Sequence, residues 1–167
     1  MIRGIFERIR IAGRSLASLT MTTNSFMISN SAEETKTIAQ KFASTLVGGD
    51  VVFLEGDLGA GKTTFTQGVL EALSYTEPVR SPTFSIMNLY PIENNPSIRR
   101  VIHLDFYRFE TPEEVRSLGL EEMLEDTKNV FIIEWPQNGL EKDSKIRHTK
   151  FVTFRTVNEQ GREITFS

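Results

Sequence analysis

The sequence GDLGAGKT, residues 56–63, decides the fold of this chain. It fits the pattern G-x-x-x-x-G-K-[ST] at every position, and the glycines of that pattern let backbone N–H groups converge on phosphate oxygens. The apolar run 51–54 precedes it, and residues 62–74 follow with apolar side chains at helical spacing. Strand, glycine loop and helix therefore occur in the order that a phosphate-binding loop requires. We predict nucleotide binding, against the alternative of a glycine-rich turn that binds nothing.

The residue types of this loop predict specific contacts with a nucleoside triphosphate. The start of the following helix adds unpaired N–H groups and a partial positive charge, both of which favour phosphate. Lys62 is expected to reach the β- and γ-phosphates, and the hydroxyl of Thr63 is expected to bind Mg²⁺.

Size and composition set limits on the remaining possibilities. The chain has 167 residues, which predicts one domain with a sizeable core. A formal net charge of −3 excludes a globally basic nucleic-acid coat, and the absence of cysteine excludes disulfides, thiolate zinc sites and cysteine nucleophiles. No apolar run approaches the ~18 residues of a membrane span, so we expect no membrane contact for residues 26–167.

Residues 1–25 differ in composition from the rest and are predicted to form an N-terminal extension to a body at 26–167. The segment has a single acidic residue, Glu7, and several serines and threonines. Its arginines are Arg3, Arg8, Arg10 and Arg14. Three interpretations stay open: a transit peptide that directs import into an organelle, a gene start assigned upstream of a true start near Met21, and a short amphipathic helix.

The first half of the body reads as strand, helix, strand and helix around the loop. Residues 26–28 predict a short edge strand. The pattern S-x-x-E from Ser31 predicts a helix start, and Gly48 and Gly49 predict its end. The predicted apolar face of that helix consists of Ile38, Ala39, Phe42, Ala43 and Leu46.

The second half predicts a sheet of mixed direction. Two strands, 84–90 and 100–106, are joined by a polar turn that is too short for a parallel crossover, so they should be antiparallel neighbours. The remaining predicted elements are a helical region over 111–126 interrupted near Gly119, a buried strand at 130–133, and a terminal hairpin of strands 151–157 and 163–166. The predicted class is α/β, a single domain with a mixed parallel and antiparallel sheet flanked by helices.

Two acidic residues are candidates for serving the nucleotide, because each ends an apolar run. Asp105 follows 101–104, and Glu134 follows 130–133. A buried carboxylate without a partner is costly, so such an acid tends to be functional or paired. Spacing alone does not decide which of the two contacts a metal ion.

Several neighbouring residues have both a functional and a structural interpretation. The hydroxyls of Ser81 and Thr83 could approach a γ-phosphate or its attacking water, or they could belong to a simple turn. His103 could orient an acid or phosphate, although a lone histidine on a strand is more often structural. Trp135, the only tryptophan, could pack in the core or contact nucleotide or a partner.

Four segments together resemble the TsaE family of bacterial ATPases, also called the YjeE family. They are GDLGAGKTTF at 56–65, SPTF at 81–84, HLDFYR at 103–108 and IEWP at 133–136. Their order and spacing agree across about residues 26–166. The resemblance implies a P-loop ATPase that works with the TsaD and TsaB proteins in forming N6-threonylcarbamoyladenosine in tRNAs that read codons beginning with A.

The resemblance also implies roles for individual residues. Thr63 and Glu134 would hold Mg²⁺, and Lys62 and Asp105 would be needed for ATP hydrolysis, Asp105 by positioning water. The implied nucleotide-binding residues are Leu58, Gly59, Ala60, Gly61, Lys62, Thr63, Thr64, Thr35 and Arg162. Contact with tRNA would be local and assisted by the partner proteins, given the net negative charge.

Two other functions compete with this interpretation. A small-molecule P-loop kinase would need an acceptor pocket and an arginine-bearing lid, whereas a hairpin is predicted after the loop helix. A nucleotide-gated scaffold with negligible hydrolysis would share every binding residue with the ATPase. We expect a cytoplasmic location, or import into an organelle if residues 1–25 are a transit peptide.

Overall fold

The structure is a computed structural model that describes residues 25–139 and 148–167. Apart from Ser25, the predicted N-terminal extension lies outside these residues. The elements are β1 Ser25–Ser29, α1 Ala32–Ala43, β2 Val51–Glu55, α2 Lys62–Ala72, β3 Met87–Pro91, β4 Arg100–Asp105, α3 Pro112–Arg116, α4 Glu121–Glu125, β5 Asn129–Glu134, α5 Pro136–Gly139, β6 Thr149–Thr156 and β7 Arg162–Phe166.

The strands form one seven-stranded sheet in the order β1-β7-β6-β2-β5-β4-β3. The central strands β6, β2, β5 and β4 are mutually parallel. The flanking pairs β3–β4, β6–β7 and β1–β7 are antiparallel. The mixed sheet, the hairpin of β3 with β4, the terminal hairpin and the edge position of β1 are therefore confirmed.

Helices cover the two faces of the sheet differently. On one face, α1 and α2 bury a large apolar cluster that includes Phe42, Phe65 and Val69. On the other, α3 and its neighbours cover only the β2, β5 and β4 part, around Phe106 and Phe131. Because β2 and β5 are enclosed on both faces, their residues form continuous apolar runs, as expected for buried parallel strands.

The close approach of α1 to α2 depends on Gly68. A Cβ atom at this position would lie 2.6 Å from the carbonyl oxygen of Lys36 and 2.8 Å from the Cβ of Ala39. Glycine therefore lets the two helix backbones touch, which keeps the start of α1 next to the glycine loop.

The helix starts agree with the predicted caps. The hydroxyl of Ser31 accepts a hydrogen bond from the N–H of Glu34 at 3.1 Å. At α3, the carboxylate of Glu114 accepts from the N–H of Thr111 at 2.9 Å, the reciprocal half of a capping box. Gly119 separates α3 from α4 with a φ of +62°, which confirms the predicted interruption.

Helix α1 ends at Ala43, earlier than the predicted stop at Gly48 and Gly49. The Ser44 hydroxyl donates to the carbonyl of Lys41 at 2.7 Å, and the Thr45 hydroxyl donates to the carbonyl of Phe42 at 2.8 Å. These side chains satisfy the last carbonyls of the helix and compete with its continuation. Leu46 is nevertheless buried beyond the helix end.

Strand β3 begins at Met87, so the predicted start at Phe84 is wrong. The N–H of Ile86 donates to the carbonyl of Pro82 at 2.6 Å, and Ile86 has a φ of +67°. This left-handed residue closes a turn and breaks the extended run. Phe84 is consequently 88% exposed instead of lying in the sheet.

Candidate functional site

The glycine loop connects β2 to α2, as the motif requires. Gly59 and Gly61 have φ values of +77° and +106°, a left-handed region in which a side chain would be strained. Gly61 caps α2, and its carbonyl accepts the first helical hydrogen bond, from Phe65 at 2.9 Å. The remaining N–H groups of the first turn have no helical partner and suit an anion.

Lys62 lies in the centre of the site and is only 4% exposed. Its ammonium donates to the carbonyls of Gly56 at 2.8 Å and Asp57 at 2.9 Å, and it lies 4.6 Å from the ring centroid of Trp135, within cation–π range. Burial lowers the pKa of Lys62 below its usual value, and the negative charge of Glu134 partly opposes that effect.

Glu134 ends β5 and is 3% exposed. One of its carboxylate oxygens, Oε1, has two partners: the Thr63 hydroxyl donates to it at 3.1 Å, and Nε2 of His103 lies 2.9 Å away. The hydrogen bond from Thr63 therefore joins the first turn of α2 to the carboxyl end of β5.

Asp105 ends β4 at the same edge of the sheet, since the register of β4 and β5 pairs it with Glu134. It is 3% exposed. Its Oδ2 accepts from the Thr83 hydroxyl at 2.5 Å, and its Oδ1 accepts from the N–H of Tyr107 at 2.9 Å. The hydroxyls of Ser81 and Thr83 lie 2.7 Å apart, so the turn before β3 joins the site through Asp105.

These groups converge on one cavity of about 170 Å³ at the end of the parallel strands. Its lining comprises Leu58, Gly59, Gly61, Lys62, Thr63, Thr64, Ser81, Thr83, Asp105, Glu134 and Trp135. Ala60, the loop residue that was also predicted to bind nucleotide, is buried and packs in the apolar cluster under α1 and α2. The cavity brings together the backbone of the glycine loop, the ammonium group of Lys62 and the carboxylates of Asp105 and Glu134.

The predicted nucleotide-binding residues Thr35 and Arg162 lie outside the lining of the cavity, although Thr35 is close to Gly61 of the loop. The Thr35 hydroxyl is 2.7 Å from the hydroxyl of Ser29, and Ser29 pairs with Arg162 across β1 and β7. Nη1 of Arg162 donates to the carbonyl of Gly161 at 2.9 Å and to other carbonyls of the hairpin turn. Their role in nucleotide binding stays a prediction.

Trp135, whose role the sequence left open between core packing and contact with a nucleotide or partner, lies at the cavity beside Tyr107. Trp135 adopts a φ of +55°, an uncommon conformation for a bulky residue that tends to occur at functional sites. It lines the cavity, and its ring lies 5.1 Å from that of Tyr107. The signal in the sequence was a tryptophan placed directly after a strand-ending acid.

The residues of the cavity fit a hard divalent cation that is shared with a phosphate ligand. The Thr63 hydroxyl and the Glu134 carboxylate supply two oxygen atoms at one place. Across residues 25–139 and 148–167, no group of three or more His, Cys, Asp or Glu side chains is arranged to hold a metal ion. A cation here would complete its coordination with water and phosphate oxygens, which is the habit of Mg²⁺.

None of the helices in the described part of the chain has the length and apolar character that a membrane span requires.

Comparisons with known proteins agree with this geometry. A Bacillus subtilis protein named tRNA threonylcarbamoyladenosine biosynthesis protein TsaE is 40% identical over 135 residues, which cover 81% of this chain and 80% of the relative. A Rickettsia bellii protein of the same name is 41% identical over 115 residues, with 68% and 76% covered. The crystal structure of Bacillus subtilis YdiB superposes with a TM-score of 0.65 at 33% identity, covering 89% of this chain and 87% of that one.

The match extends through most of the body and includes the loop, both carboxylates and most of the terminal hairpin. The model of the family described as threonylcarbamoyl adenosine biosynthesis protein TsaE matches residues 29–164. This chain therefore belongs to the TsaE family.

Proposed function

We propose that this protein binds ATP with Mg²⁺ and hydrolyses it in support of N6-threonylcarbamoyladenosine formation in tRNA. The observation that carries the proposal is the convergence of Lys62, Thr63, Asp105 and Glu134 on one cavity at the glycine loop. Relatives that cover most of the chain bear the name of tRNA threonylcarbamoyladenosine biosynthesis proteins.

The geometry of the cavity supports a task for the loop amides and for four of its side chains. The loop amides and the ammonium of Lys62 bind the phosphates. On binding, Lys62 gives up its hydrogen bonds to the carbonyls of Gly56 and Asp57 and donates to phosphate oxygens. Thr63 and Glu134 hold Mg²⁺, which when bound neutralises charge on the phosphate oxygens. Asp105 orients the attacking water, because its buried carboxylate is itself held by two donors, Thr83 and Tyr107.

The proposal includes partners. Proteins like TsaD and TsaB would carry out the transfer to tRNA, and ATP turnover in this subunit would support that complex. Phe84 and Leu58, exposed at 88% and 69%, provide apolar contact area close to the cavity, and the net charge of −3 argues against extensive direct tRNA contact. Cytoplasmic residence is part of the proposal, and mass spectrometry of the mature N-terminus would test the alternative of import.

The test combines ATP turnover with tRNA analysis. Phosphate release would be measured for this protein alone and with its TsaD-like and TsaB-like partners, for the wild type, Lys62→Met and Glu134→Gln. Lys41→Met is the matched control, because Lys41 is exposed in the last turn of α1, away from the cavity. We expect both site variants to lose turnover and the control to retain it.

Cellular function is read from the nucleosides of total tRNA. Replacing the gene with the Lys62→Met variant should lower the threonylcarbamoylated adenosine, measured by mass spectrometry. Absence of turnover in every combination of proteins would refute the ATPase, and unchanged modification in a clean deletion would refute the role in tRNA modification.

A further inference from the structure

His103 is a fully buried polar residue of the sheet. It lies on β4 between Asn88 of β3 and Ile132 of β5 in the strand register, and it is 0% exposed. Its Nε2 lies 2.9 Å from Oε1 of Glu134. Its Nδ1 has no hydrogen-bond partner among the described residues. A buried imidazole with a single polar contact, made to a site carboxylate, requires an explanation beyond packing.

The contact determines which nitrogen carries the proton of the neutral ring. A neutral imidazole has one N–H donor and one acceptor nitrogen, and a carboxylate oxygen can only accept. With the proton on Nε2, the ring donates to Glu134 and leaves only a bare lone pair on Nδ1. The other tautomer would place the Nε2 lone pair against the carboxylate and would also bury an unpaired N–H on Nδ1. It therefore has two unfavourable features, whereas the Nε2–H form has only an unpaired acceptor. The geometry therefore selects the Nε2–H form.

The same contact determines how Glu134 presents its two oxygens. Thr63 and His103 both bind Oε1, so the acceptor sites of that oxygen are occupied from two directions. The carboxylate cannot rotate without losing one of these hydrogen bonds. Oε2 is the remaining oxygen, and Glu134 lines the cavity.

We propose that His103 is a positioning residue that holds the Glu134 carboxylate in the orientation in which it binds Mg²⁺. The inference rests on the proposed function, since it assigns Glu134 to the metal ion. His103 contacts neither nucleotide nor metal and acts only through its Nε2–H donor. Outer partners of this kind orient metal ligands, and their loss weakens metal affinity by about 10–100-fold.

Three substitutions separate the hydrogen bond from the volume of the ring. His103→Gln can place an amide N–H near the position of Nε2, because its side chain is long enough. His103→Asn offers the same amide one methylene shorter, so it is the matched control for reach. His103→Phe retains a ring and removes the donor. Thermal unfolding of all three shows which variants are folded.

The decisive readout is the dependence of ATP binding on Mg²⁺, measured through the fluorescence of Trp135, the only tryptophan. Affinity is measured with excess Mg²⁺ and with EDTA. In Asn and Phe variants we expect the gain in affinity from Mg²⁺ to fall at least tenfold, with affinity in EDTA within about twofold of the wild type. The Gln variant should recover most of the gain. An unchanged gain in folded Asn and Phe variants, or an equal loss in both buffers, would overturn the proposal.

A measurement on the metal-free and nucleotide-free protein tests the contact itself. The chain has two histidines, His103 and His148, so a His148→Gln variant assigns their ¹⁵N resonances. We expect a proton on Nε2 of His103, the nitrogen that faces Glu134, and a bare Nε2 would overturn the inference. If wild-type ATP binding did not depend on Mg²⁺, the proposed function would fail as well. Mg²⁺-dependent binding with unaffected variants would remove the role of His103 alone.

Discussion

Replacing Asp105 with asparagine should abolish turnover while leaving the fold and ATP binding intact. The substitution preserves shape in a site that is 3% exposed. The remaining Oδ1 can still accept from the N–H of Tyr107, and the Thr83 hydroxyl can rotate to accept from the new amide instead of donating, because Ser81 is available to it at 2.7 Å. At most one hydrogen bond is weakened, so the free energy of unfolding should change by about 1 kcal/mol or less.

The effect on chemistry should be much larger than the effect on stability. Loss of a positioned general base lowers turnover by about 10²–10⁴-fold, which corresponds to about 3–5 kcal/mol in the activation free energy. Removing the negative charge of Asp105 lowers the electrostatic repulsion between the site and the phosphates of ATP. We therefore expect the dissociation constant for ATP to stay equal or to decrease.

The assay separates these quantities. Single-turnover phosphate release with the partner proteins gives the chemical rate, and Trp135 fluorescence gives the affinity. Asp126→Asn is the control, because Asp126 pairs with Arg99 at the start of β4, the opposite end of the strand from Asp105. Turnover of Asp105→Asn within fivefold of the wild type, or a loss of affinity that matches the loss of rate, would refute the assignment of Asp105.

Three further predictions concern packing and charge. Gly68→Ala should destabilise the protein by about 1–2 kcal/mol in chemical denaturation, because overlap with the Lys36 backbone outweighs the ~1 kcal/mol that alanine contributes to a helix interior. ATP affinity should fall as pH rises toward 10.5, because burial lowers the pKa of Lys62 in the nucleotide-free protein, whereas bound phosphate favours the charged form. Calorimetry across this pH range should show proton uptake on binding. Lys150→Met should cost about 3–5 kcal/mol in free energy of unfolding, because the buried Asp50 loses its ion-pair partner and keeps only the hydrogen bond from the N–H of Val47. Asp50→Asn should cost less, because Lys150 can turn to solvent.

Each of these has an outcome that contradicts it. Stabilisation by Gly68→Ala would mean that α1 and α2 separate easily. A Lys62→Met variant with the same loss of ATP affinity at alkaline pH as the wild type would remove Lys62 as the titrating group. Equal destabilisation by the two substitutions of the Asp50–Lys150 pair would show that burial of the carboxylate does not decide its cost.

Local patterns in the sequence were sufficient for the elements around the loop. The motif at 56–63, the cap at Ser31 and the apolar run before Glu134 each depend on residues within a few positions of one another, and each was confirmed in the fold. Two predicted element boundaries were wrong, and in each case nearby residues explain the difference. Ile86 in a left-handed conformation delayed β3, and the hydroxyls of Ser44 and Thr45 ended α1 early.

The side-chain contacts between neighbouring strands could not be predicted from the sequence. Asp105 and Glu134 could be placed at strand ends, but their pairing depends on the register of β4 against β5. That register also brings His103 to Glu134, and the pairing of β3 with β4 brings the turn at Thr83 next to Asp105. Such contacts join residues 22 to 31 positions apart.

The glycine loop and its two neighbouring elements are thus a property of the chain itself, because short-range sterics, capping and apolar periodicity specify them. The tertiary structure alone brings Thr63 and His103 to the same oxygen, Oε1 of Glu134. It also places the ammonium of Lys62 over the ring of Trp135. These contacts arise only when parallel strands align their carboxyl ends at one edge, since no local interaction links those residues before the sheet has formed.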